Sequence, residues 1–219
     1  MFFFAEFVWI LLLPRNIYNS FLFAIIAVTF ITITSGLISY VIVRRDTKAA
    51  AAIDFLMMVP YLVPGVVMAI GFVTVFRNGM PNFFDPAVLL VMIYFIRRLP
   101  YGVRSTTSSL RQIKPSLEEA AVNLGATPLG AFIKITVPLI FPGIVVGALM
   151  GFITAINELS STLILYDAGT ITMPVKVYLA VLDGEFGLAA ALSTILLLST
   201  GACVYAVFRF AENRNSAFL

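Results

Sequence analysis

A single carboxylate lies deep inside one of the hydrophobic runs of this chain. Glu158 follows a strongly apolar stretch and precedes Ser160, Ser161 and Thr162, whose hydroxyl groups could hydrogen-bond to it. A charged side chain at membrane depth costs roughly 3 kcal/mol on insertion scales, so it indicates a function. Glu158 could meet a cationic substrate, hold a gate, or form a helix–helix hydrogen bond of structural value only. A role as a direct metal ligand is disfavoured because no second intramembrane carboxylate lies beside Glu158.

The rest of the residue inventory excludes most catalytic chemistry. The 219 residues include no histidine, which removes the commonest general base and the commonest metal ligand. The single cysteine, Cys203, lies in an apolar run, and we interpret it as a small buried hydrophobe. No paired acids occupy adjacent turns of a hydrophobic run. We therefore expect no catalytic residue and no metal site.

A polar segment at residues 115–138 interrupts the hydrophobic sequence. It contains Glu119, Ala120 and Ala121, then Gly125, and it closes with Ile135 and Pro138. Acids after Pro115 and Ser116 are typical of the first turn of a helix, and a glycine permits a tight turn at its end. The residue pattern by itself predicts an ordinary capped helix.

Composition indicates which elements position these residues. The chain is 61% hydrophobic and 11% charged, whereas soluble domains carry about 25% charged residues. Several hydrophobic runs approach the roughly 20 residues that cross a bilayer. We predict five spans, at residues 19–43, 50–76, 86–101, 139–165 and 186–208. Pro60 and Pro64 break the second span, and the freed carbonyls must face protein or a water-filled cavity, so we place both prolines with Glu158, Ser160 and Ser161 along a pathway or gate.

The chain divides into an N-terminal segment (1–18), one transmembrane domain (19–208) and a short tail (209–219). The N-terminal segment carries Glu6 and lacks the basic region of a signal peptide. We interpret it as a partial or interfacial helix that ends at Pro14. Residues 166–183 are predicted to form a polar loop.

We interpret several polar and aromatic residues as structural and not functional. We interpret Arg97 and Arg98 as interfacial anchors of the third span, and Asp54 as an acid that stabilises a helix start. The tyrosines of the second and third spans, Tyr61, Tyr94 and Tyr101, are interpreted as packing or interface aromatics.

Basic residues predict the orientation. The loops after the first, third and fifth spans carry most of the arginines and lysines: Arg44, Arg45, Lys48, Arg97, Arg98, Arg104, Arg111, Lys114, Lys134, Arg209 and Arg214. The opposite side has only Arg15, Arg77 and Lys176, against four acids. The positive-inside rule places the basic side, and with it residues 115–138, in the cytoplasm.

Residues 119–138 resemble the EAA loop, the ATPase-docking segment of bacterial ABC importer permeases. Other stretches resemble the ferric-iron branch: Asn19-Ser20, VPYLVPG at 59–65, RRLPYGVRS at 97–105 and NELSSTLIL at 157–165. They are shared in part with branches that import phosphonates, sulfate, thiamine or polyamines. The resemblance covers residues 19 to about 198. It implies an all-α membrane protein of the MetI-like permease fold, with five core transmembrane helices, an extra N-terminal helix as an option, and a cytoplasmic coupling helix.

The resemblance also implies how such a chain works. It implies a multi-pass subunit of the bacterial cytoplasmic (inner) membrane that is not an enzyme and binds no cofactor or nucleic acid. Two separate ATPase subunits use ATP and Mg²⁺, and an extracytoplasmic binding protein delivers the substrate, expected to be ferric iron. Ferric-type permeases usually contain two halves and this chain resembles the second, so we expect a second half, identical or related. The alternatives are another substrate on the same machinery, an ion-coupled secondary transporter that would depend on Glu158, or an intramembrane enzyme.

Overall fold

A computed structural model describes residues 15–45, 47–78 and 85–216, without the side chains of 77, 78 and 210–216. These residues form helices joined by turns. In chain order the helices are α1 (Arg15–Arg44), α2 (Lys48–Leu56), α3 (Val59–Leu62), α4 (Gly65–Phe72), α5 (Pro86–Leu110), α6 (Ser116–Asn123), α7 (Pro128–Ala131), α8 (Val137–Ile156), α9 (Thr162–Leu165), α10 (Met173–Leu182) and α11 (Phe186–Ser216). Short π-helical segments follow α4 (Val73–Asn78) and join α7 to α8 (Phe132–Thr136).

Five elements of the described chain are long and apolar enough to cross a membrane. Four are single helices, namely α1, α5, the continuous helix Pro128–Ile156 formed by α7 and α8, and α11. The fifth is a pair bent by 98°, in which Lys48–Leu62 is followed by Gly65–Phe76. The predicted all-helical membrane fold with five core spans is thereby confirmed.

The centre of the bundle is α5, which packs between α1 and α8. Small residues let these helices approach closely, as is typical in lipid. A Cβ at Gly147 of α8 would lie 2.9 Å from the Cα of Gly102 in α5. Toward α1, the hydroxyl of Ser39 donates a hydrogen bond to the carbonyl of Val103 in α5 at 3.0 Å. These contacts hold three spans together as one unit.

The predicted break in the second span is present. Val63 has an extended backbone, with φ −77° and ψ 125°, as expected of a residue that precedes a proline. Pro64 then occupies the N-cap of α4, where no backbone N–H is required. Pro60 lies in the first turn of α3. The two prolines therefore separate the span into halves that run in different directions.

The fourth span differs from its predicted bounds of 139–165. It begins at Pro128 and ends at Ile156, so Pro138 does not close the polar segment but lies in the first turn of α8. The π-helical turn at Phe132–Thr136 directly precedes this proline, and such a wider turn accommodates a ring that would clash with the preceding carbonyl. Glu158 consequently lies in a non-helical break after the span and not within it.

The structure also differs from other predicted bounds. The third span continues from the predicted end at Tyr101 to Leu110, and the predicted polar loop 166–183 contains α10. The helix of the fifth span continues to Ser216, into the predicted tail, but the part that could cross a membrane is Phe186–Arg209, in agreement with the predicted span 186–208. The first span starts at Arg15, so it includes residues 15–18 of the predicted N-terminal segment, whose remainder lies outside the described residues.

Candidate functional site

The carboxylate of Glu158 is held by four donors. One oxygen, Oε2, accepts hydrogen bonds from Nη1 of Arg97 at 2.8 Å and from Arg98. The other, Oε1, accepts from the hydroxyl of Ser160 at 2.7 Å and from the backbone N–H of Ser161 at 3.1 Å. The Glu158 side chain is only 4% exposed. We call Arg97, Arg98, Glu158 and Ser160 the charged cluster.

The interpretation of Arg97 and Arg98 as interfacial anchors was wrong. Because α5 extends to Leu110, both arginines lie near its midpoint, about 18 Å from its first residue at 1.5 Å per residue. Their side chains are largely buried, and both form ion pairs with Glu158. The sequence contained one signal for this pairing, because Arg97 and Arg98 lie inside the predicted span 86–101 and charged residues within a span pair with one another. Of the acids in the predicted spans, Asp54 lies near the start of one and Glu158 lies well inside another.

The break in the second span meets the break after the fourth span at this cluster. A Cβ at Gly65, the first residue of α4, would lie 2.6 Å from Nη1 of Arg97 and 2.7 Å from the hydroxyl of Ser160. Only a residue without a side chain permits this approach. Pro64, the N-cap residue of α4, thus places the N-terminal backbone of α4 against the guanidinium group of Arg97.

The second span also follows α5 toward the basic end of the bundle. Asp54 forms an ion pair with Arg104 at 3.1 Å, and the rings of Tyr61 and Tyr101 pack edge to face with centroids 5.8 Å apart. Asp54 lies in the last turn of α2, not at a helix start, so its predicted role at a helix N-terminus was wrong. The packing role predicted for the tyrosines agrees with this contact.

The three residues proposed as hydroxyl partners of Glu158 contact it in different ways. Ser160 contacts the carboxylate through its side chain, whereas Ser161 does so through its backbone amide. Thr162 instead donates to the backbone carbonyl of Glu158 at 2.9 Å and is hydrogen-bonded to the buried hydroxyl of Tyr94 at 2.6 Å. Tyr94 therefore fixes the far side of the break, a role that the sequence did not indicate.

The polar segment forms α6, a short surface helix that ends as the sequence predicted. Gly125 has φ +94°, a conformation that glycine adopts readily and L-residues avoid. The amide of Gly125 donates to the carbonyl of Val122, and the amide of Ala126 donates to that of Ala121. This is the Schellman pattern of a helix C-terminus, and it reverses the chain toward α7, where Thr127 caps the helix by accepting from Gly130.

An ion pair between Glu118 and Arg44 attaches α6 to the end of α1. Glu118 accepts from Nη2 of Arg44 at 2.9 Å and from the hydroxyl of Tyr40 at 2.8 Å. Burial raises the pKa of the Glu118 carboxyl, but the hydrogen bonds from Tyr40 and Arg44 outweigh it and hold the pKa below its ordinary value. The ring of Tyr40 also packs against Phe132, with centroids 4.8 Å apart. The predicted coupling residue was the neighbouring Glu119, whereas Glu118, Arg44 and Tyr40 anchor the helix.

The outer face of this region is apolar and exposed. Glu119 and Ala120 are exposed and Ala121 is half-buried, while Leu124 is 89% and Leu129 67% exposed. Other exposed apolar residues on the segment are Leu117, Val122 and Ile133. A cleft of about 240 Å³ opens between α6 and α7, lined in part by Glu119, Val122 and Pro128. Ile135 is half-buried in the π-helical turn and Pro138 is exposed, so neither belongs to α6 itself.

A protein-family comparison matches most of the chain. Residues 32–216 match the family described as "Binding-protein-dependent transport system inner membrane component". This match includes the charged cluster, α6 and four of the five spans.

Curated relatives include permeases with several substrates. The chain is 27% identical over 183 residues to a ferric transport system permease protein of Actinobacillus pleuropneumoniae, covering 84% of this chain and 27% of that protein. It is 30% identical to a putrescine transport system permease protein of Escherichia coli, covering 76% and 61%. It is 26% identical to a molybdate/tungstate transport system permease protein of Thermococcus kodakarensis, covering 82% and 71%. The chain thus spans only about a quarter of the length of the ferric relative.

Solved structures share the fold. A bacterial ABC transporter involved in the import of the acidic polysaccharide alginate superposes with a TM-score of 0.73 at 17% identity, covering 94% of this chain and 83% of that one. The MetNI methionine ABC transporter in an inward-facing conformation gives 0.69 at 17% identity, covering 94% and 96%.

Proposed function

The chain belongs to the family of binding-protein-dependent transport system inner membrane components, and from this we propose that it is the permease subunit of an ATP-driven importer whose ATPase docks on α6. It is a multi-pass membrane protein of that family. In the proposed complex this chain binds no cofactor, and separate ATPase subunits bind ATP and Mg²⁺.

One observation supports the docking role above all others. The segment from α6 to α7 exposes most of the Leu124 and Leu129 side chains, although it lies beside the basic residues that the positive-inside rule assigns to the cytoplasm. Exposed apolar side chains clustered on one surface are typical of a protein–protein interface. The exposed Glu119 at the rim provides a charge that can fix the orientation of the partner.

The helices provide a direct mechanical connection from this surface to the charged cluster. α7, the π-helical turn and α8 form one 29-residue helix, about 44 Å long at 1.5 Å per residue. Its first residue follows the loop after α6, and its last residue precedes the break that contains Glu158. A displacement of α6 by the closing ATPases would therefore move both breaks as part of a rigid-body transition.

We assign Glu158, Ser160, Pro60 and Pro64 to a gate, together with Ser161. Glu158 is paired with both Arg97 and Arg98, so it is neutralised and poorly suited to carry a coupling ion. This disfavours the ion-coupled secondary transporter. The gate opens when the two breaks move apart. Water or substrate then replaces the protein groups that contact Glu158.

The proposed substrate is ferric iron, delivered by an extracytoplasmic binding protein. The resemblance of residues 157–165 and the ferric relatives support it; the putrescine and molybdate/tungstate relatives support the alternative that the same machinery carries another solute. A second permease half, identical or related, is part of the proposal because two ATPases require two docking segments.

Reconstitution tests this function. The chain is purified with its partners from native membranes, inserted into proteoliposomes and supplied with binding protein, labelled solute and internal or external ATP. We expect uptake that requires ATP on the side of α6 and persists when ion gradients are collapsed by ionophores. Uptake that needs an ion gradient and not ATP would contradict the proposal.

A further inference from the structure

We propose that the charged cluster is an anion-binding site in the translocation pathway. It would take a small oxyanion, or a metal ion carried as an anionic complex with oxygen ligands, and it would repel a bare cation. This inference rests on the proposed function only in that the solute passes the two breaks. It differs from the ferric proposal by stating the charge of the species that crosses.

The charged cluster carries a net positive charge. Two guanidinium groups, of Arg97 and Arg98, share one carboxylate, that of Glu158. Arginine stays protonated in proteins, so the cluster retains positive charge. Oε2 of Glu158 already accepts from both arginines and Oε1 from Ser160 and Ser161, which leaves little acceptor capacity for a cation.

The charged cluster and its surroundings contain more buried hydrogen-bond donors than acceptors for them. Within the described residues, the Nε atoms of Arg97 and Arg98 and the hydroxyl of Ser161 are buried without a hydrogen-bond partner. Buried donors without acceptors are costly and require an explanation. A ligand rich in acceptor oxygens would satisfy such donors, and guanidinium groups match the geometry of oxyanions well.

The backbone adds to this positive field. α4 begins at Gly65 directly against Arg97, and no side chain caps it among the described residues. The first amides of a helix have no intrahelical acceptor, and the helix dipole makes this end positive. The broken second span thus places a positive backbone end against the guanidinium group of Arg97, an arrangement that is unfavourable unless negative charge is nearby.

The cluster is accessible from one side. Ser160 and Asn157 are exposed polar residues at the break, and Pro64 is exposed at the opposite break. The amide of Asn157 donates to the hydroxyl of Thr200 in α11 at 3.0 Å, which extends the polar rim. Polar side chains at membrane depth face the interior of a bundle or a water-filled cavity. A hydrated anion could therefore approach the arginines past Ser160.

A binding experiment on the full chain in nanodiscs tests the site without the pump. Equilibrium dialysis measures molybdate, sulfate, phosphate and ferric citrate against chloride at constant ionic strength, and hexaamminecobalt(III) serves as a stable bare trivalent cation. The variants are R97Q, R98Q and E158Q. The matched control is R104Q, which removes the same charge from the same helix at a side chain that is 47% exposed and paired with Asp54.

We expect at least one oxyanion or the ferric citrate complex to bind in preference to chloride, and hexaamminecobalt(III) not to bind. R97Q and R98Q should each weaken anion binding about tenfold, the usual effect of losing a charged hydrogen bond. E158Q should keep or strengthen it because it frees both arginines, and R104Q should leave it unchanged. Binding of ferric citrate but not of free oxyanions identifies a metal complex as the ligand; the reverse identifies a free oxyanion.

Three results would overturn the site: no anion bound above chloride, equal weakening by R104Q, or cation binding that E158Q abolishes. If the glutamine variants do not fold, the wild-type chain still decides the question. Its thermal unfolding midpoint should rise with the bound anion and not with hexaamminecobalt(III). ATPase co-purification is measured on the same wild-type preparation, so a failure of the proposed importer function is seen separately from a failure of anion binding.

Discussion

Gly65 and Arg97 are in contact across two spans, and the contact depends on the absence of a side chain. A Cβ at Gly65 would lie 2.6 Å from Nη1 of Arg97, closer than a carbon and a nitrogen approach without displacement. The same Arg97 nitrogen donates to Glu158 at 2.8 Å. A methyl group at position 65 would therefore disturb the break of the second span. It would also disturb the ion pair between Arg97 and Glu158, which holds the break after the fourth span.

Gly65→Ala should destabilise the protein and impair transport. Overpacking at a well-packed site costs about 1–3 kcal/mol, and here it also displaces Arg97 from Glu158. Gly71→Ala is the matched control, because it lies in the same helix and a Cβ there meets nothing within 4 Å. The unfolding midpoint in nanodiscs and the uptake rate of the reconstituted complex are measured for both. Equal effects of the two substitutions would show that the contact at Gly65 is unimportant.

Gly125→Val should abolish transport and stimulated ATP hydrolysis while membrane insertion stays normal. Its φ of +94° is strained for any residue with a side chain, although a Cβ would meet nothing within 4 Å, so the effect is on the backbone of the turn alone. Gly125→Asn is the control because asparagine tolerates positive φ better than valine. We expect it to retain part of the activity. A fully active valine variant would remove the turn from the coupling mechanism.

Glu118→Gln should loosen α6 from α1 and lower stability by about 1–3 kcal/mol. The exposed neighbour Glu119 provides the control, since Glu119→Gln should leave stability unchanged. Because the pKa of Glu118 is lowered in the folded protein, its ion pair contributes fully above its ordinary pKa of 4.5. That contribution is lost as the pH falls through the lower, folded value.

The difference between wild type and Glu118→Gln should accordingly be constant from pH 7 to pH 5 and shrink only below about 4.5. Thermal unfolding across this pH range measures it. A difference that already declines near neutral pH would mean that another group is responsible.

Single cysteines test the orientation predicted from the basic residues. In a Cys203→Ser background, Lys48→Cys and Gln112→Cys should resist an impermeant thiol reagent added outside intact cells. Ala168→Cys and Asp183→Cys should react, because both residues are exposed at the opposite end of the bundle. Permeabilised cells supply the control for reactivity. The reversed pattern would place α6 outside and exclude its docking on an ATPase.

The orientation itself needs one adjustment. Arg97 and Arg98 were counted among the cytoplasmic charges, but they are intramembrane partners of Glu158. The remaining basic residues, including Arg45, Lys48, Arg111, Lys114 and Lys134, still form a basic side. The predicted orientation therefore stays the same but rests on fewer basic residues.

Local features of the fold were predictable from the sequence, whereas the partners of charged residues were not. The proline break of the second span and the turn at Gly125 follow from backbone chemistry within a few residues, and both were predicted correctly. The ion pairs Arg97–Glu158 and Arg44–Glu118 join residues 61 and 74 positions apart. The predicted third span ended at Tyr101, soon after Arg97 and Arg98, because hydropathy does not show that a distant acid neutralises these arginines.

The choice of Glu119 over Glu118 has the same cause. Adjacent acids on a short helix are indistinguishable by composition, and only the position of Arg44 at the end of α1 shows which one is anchored. The segment's motif indicated that it couples to a partner; its attachment to the bundle required the arrangement of the spans.

The most direct test is the identity of the proteins bound to this chain. The affinity-tagged chain is extracted from native membranes in mild detergent, and its partners are identified and quantified by mass spectrometry for wild type and Glu119→Lys. We predict that a Walker-type ATPase co-purifies with the wild-type chain and is reduced several-fold by Glu119→Lys, because the substitution reverses the charge at the exposed rim of α6. A wild-type preparation that is folded and free of any such ATPase would contradict the account.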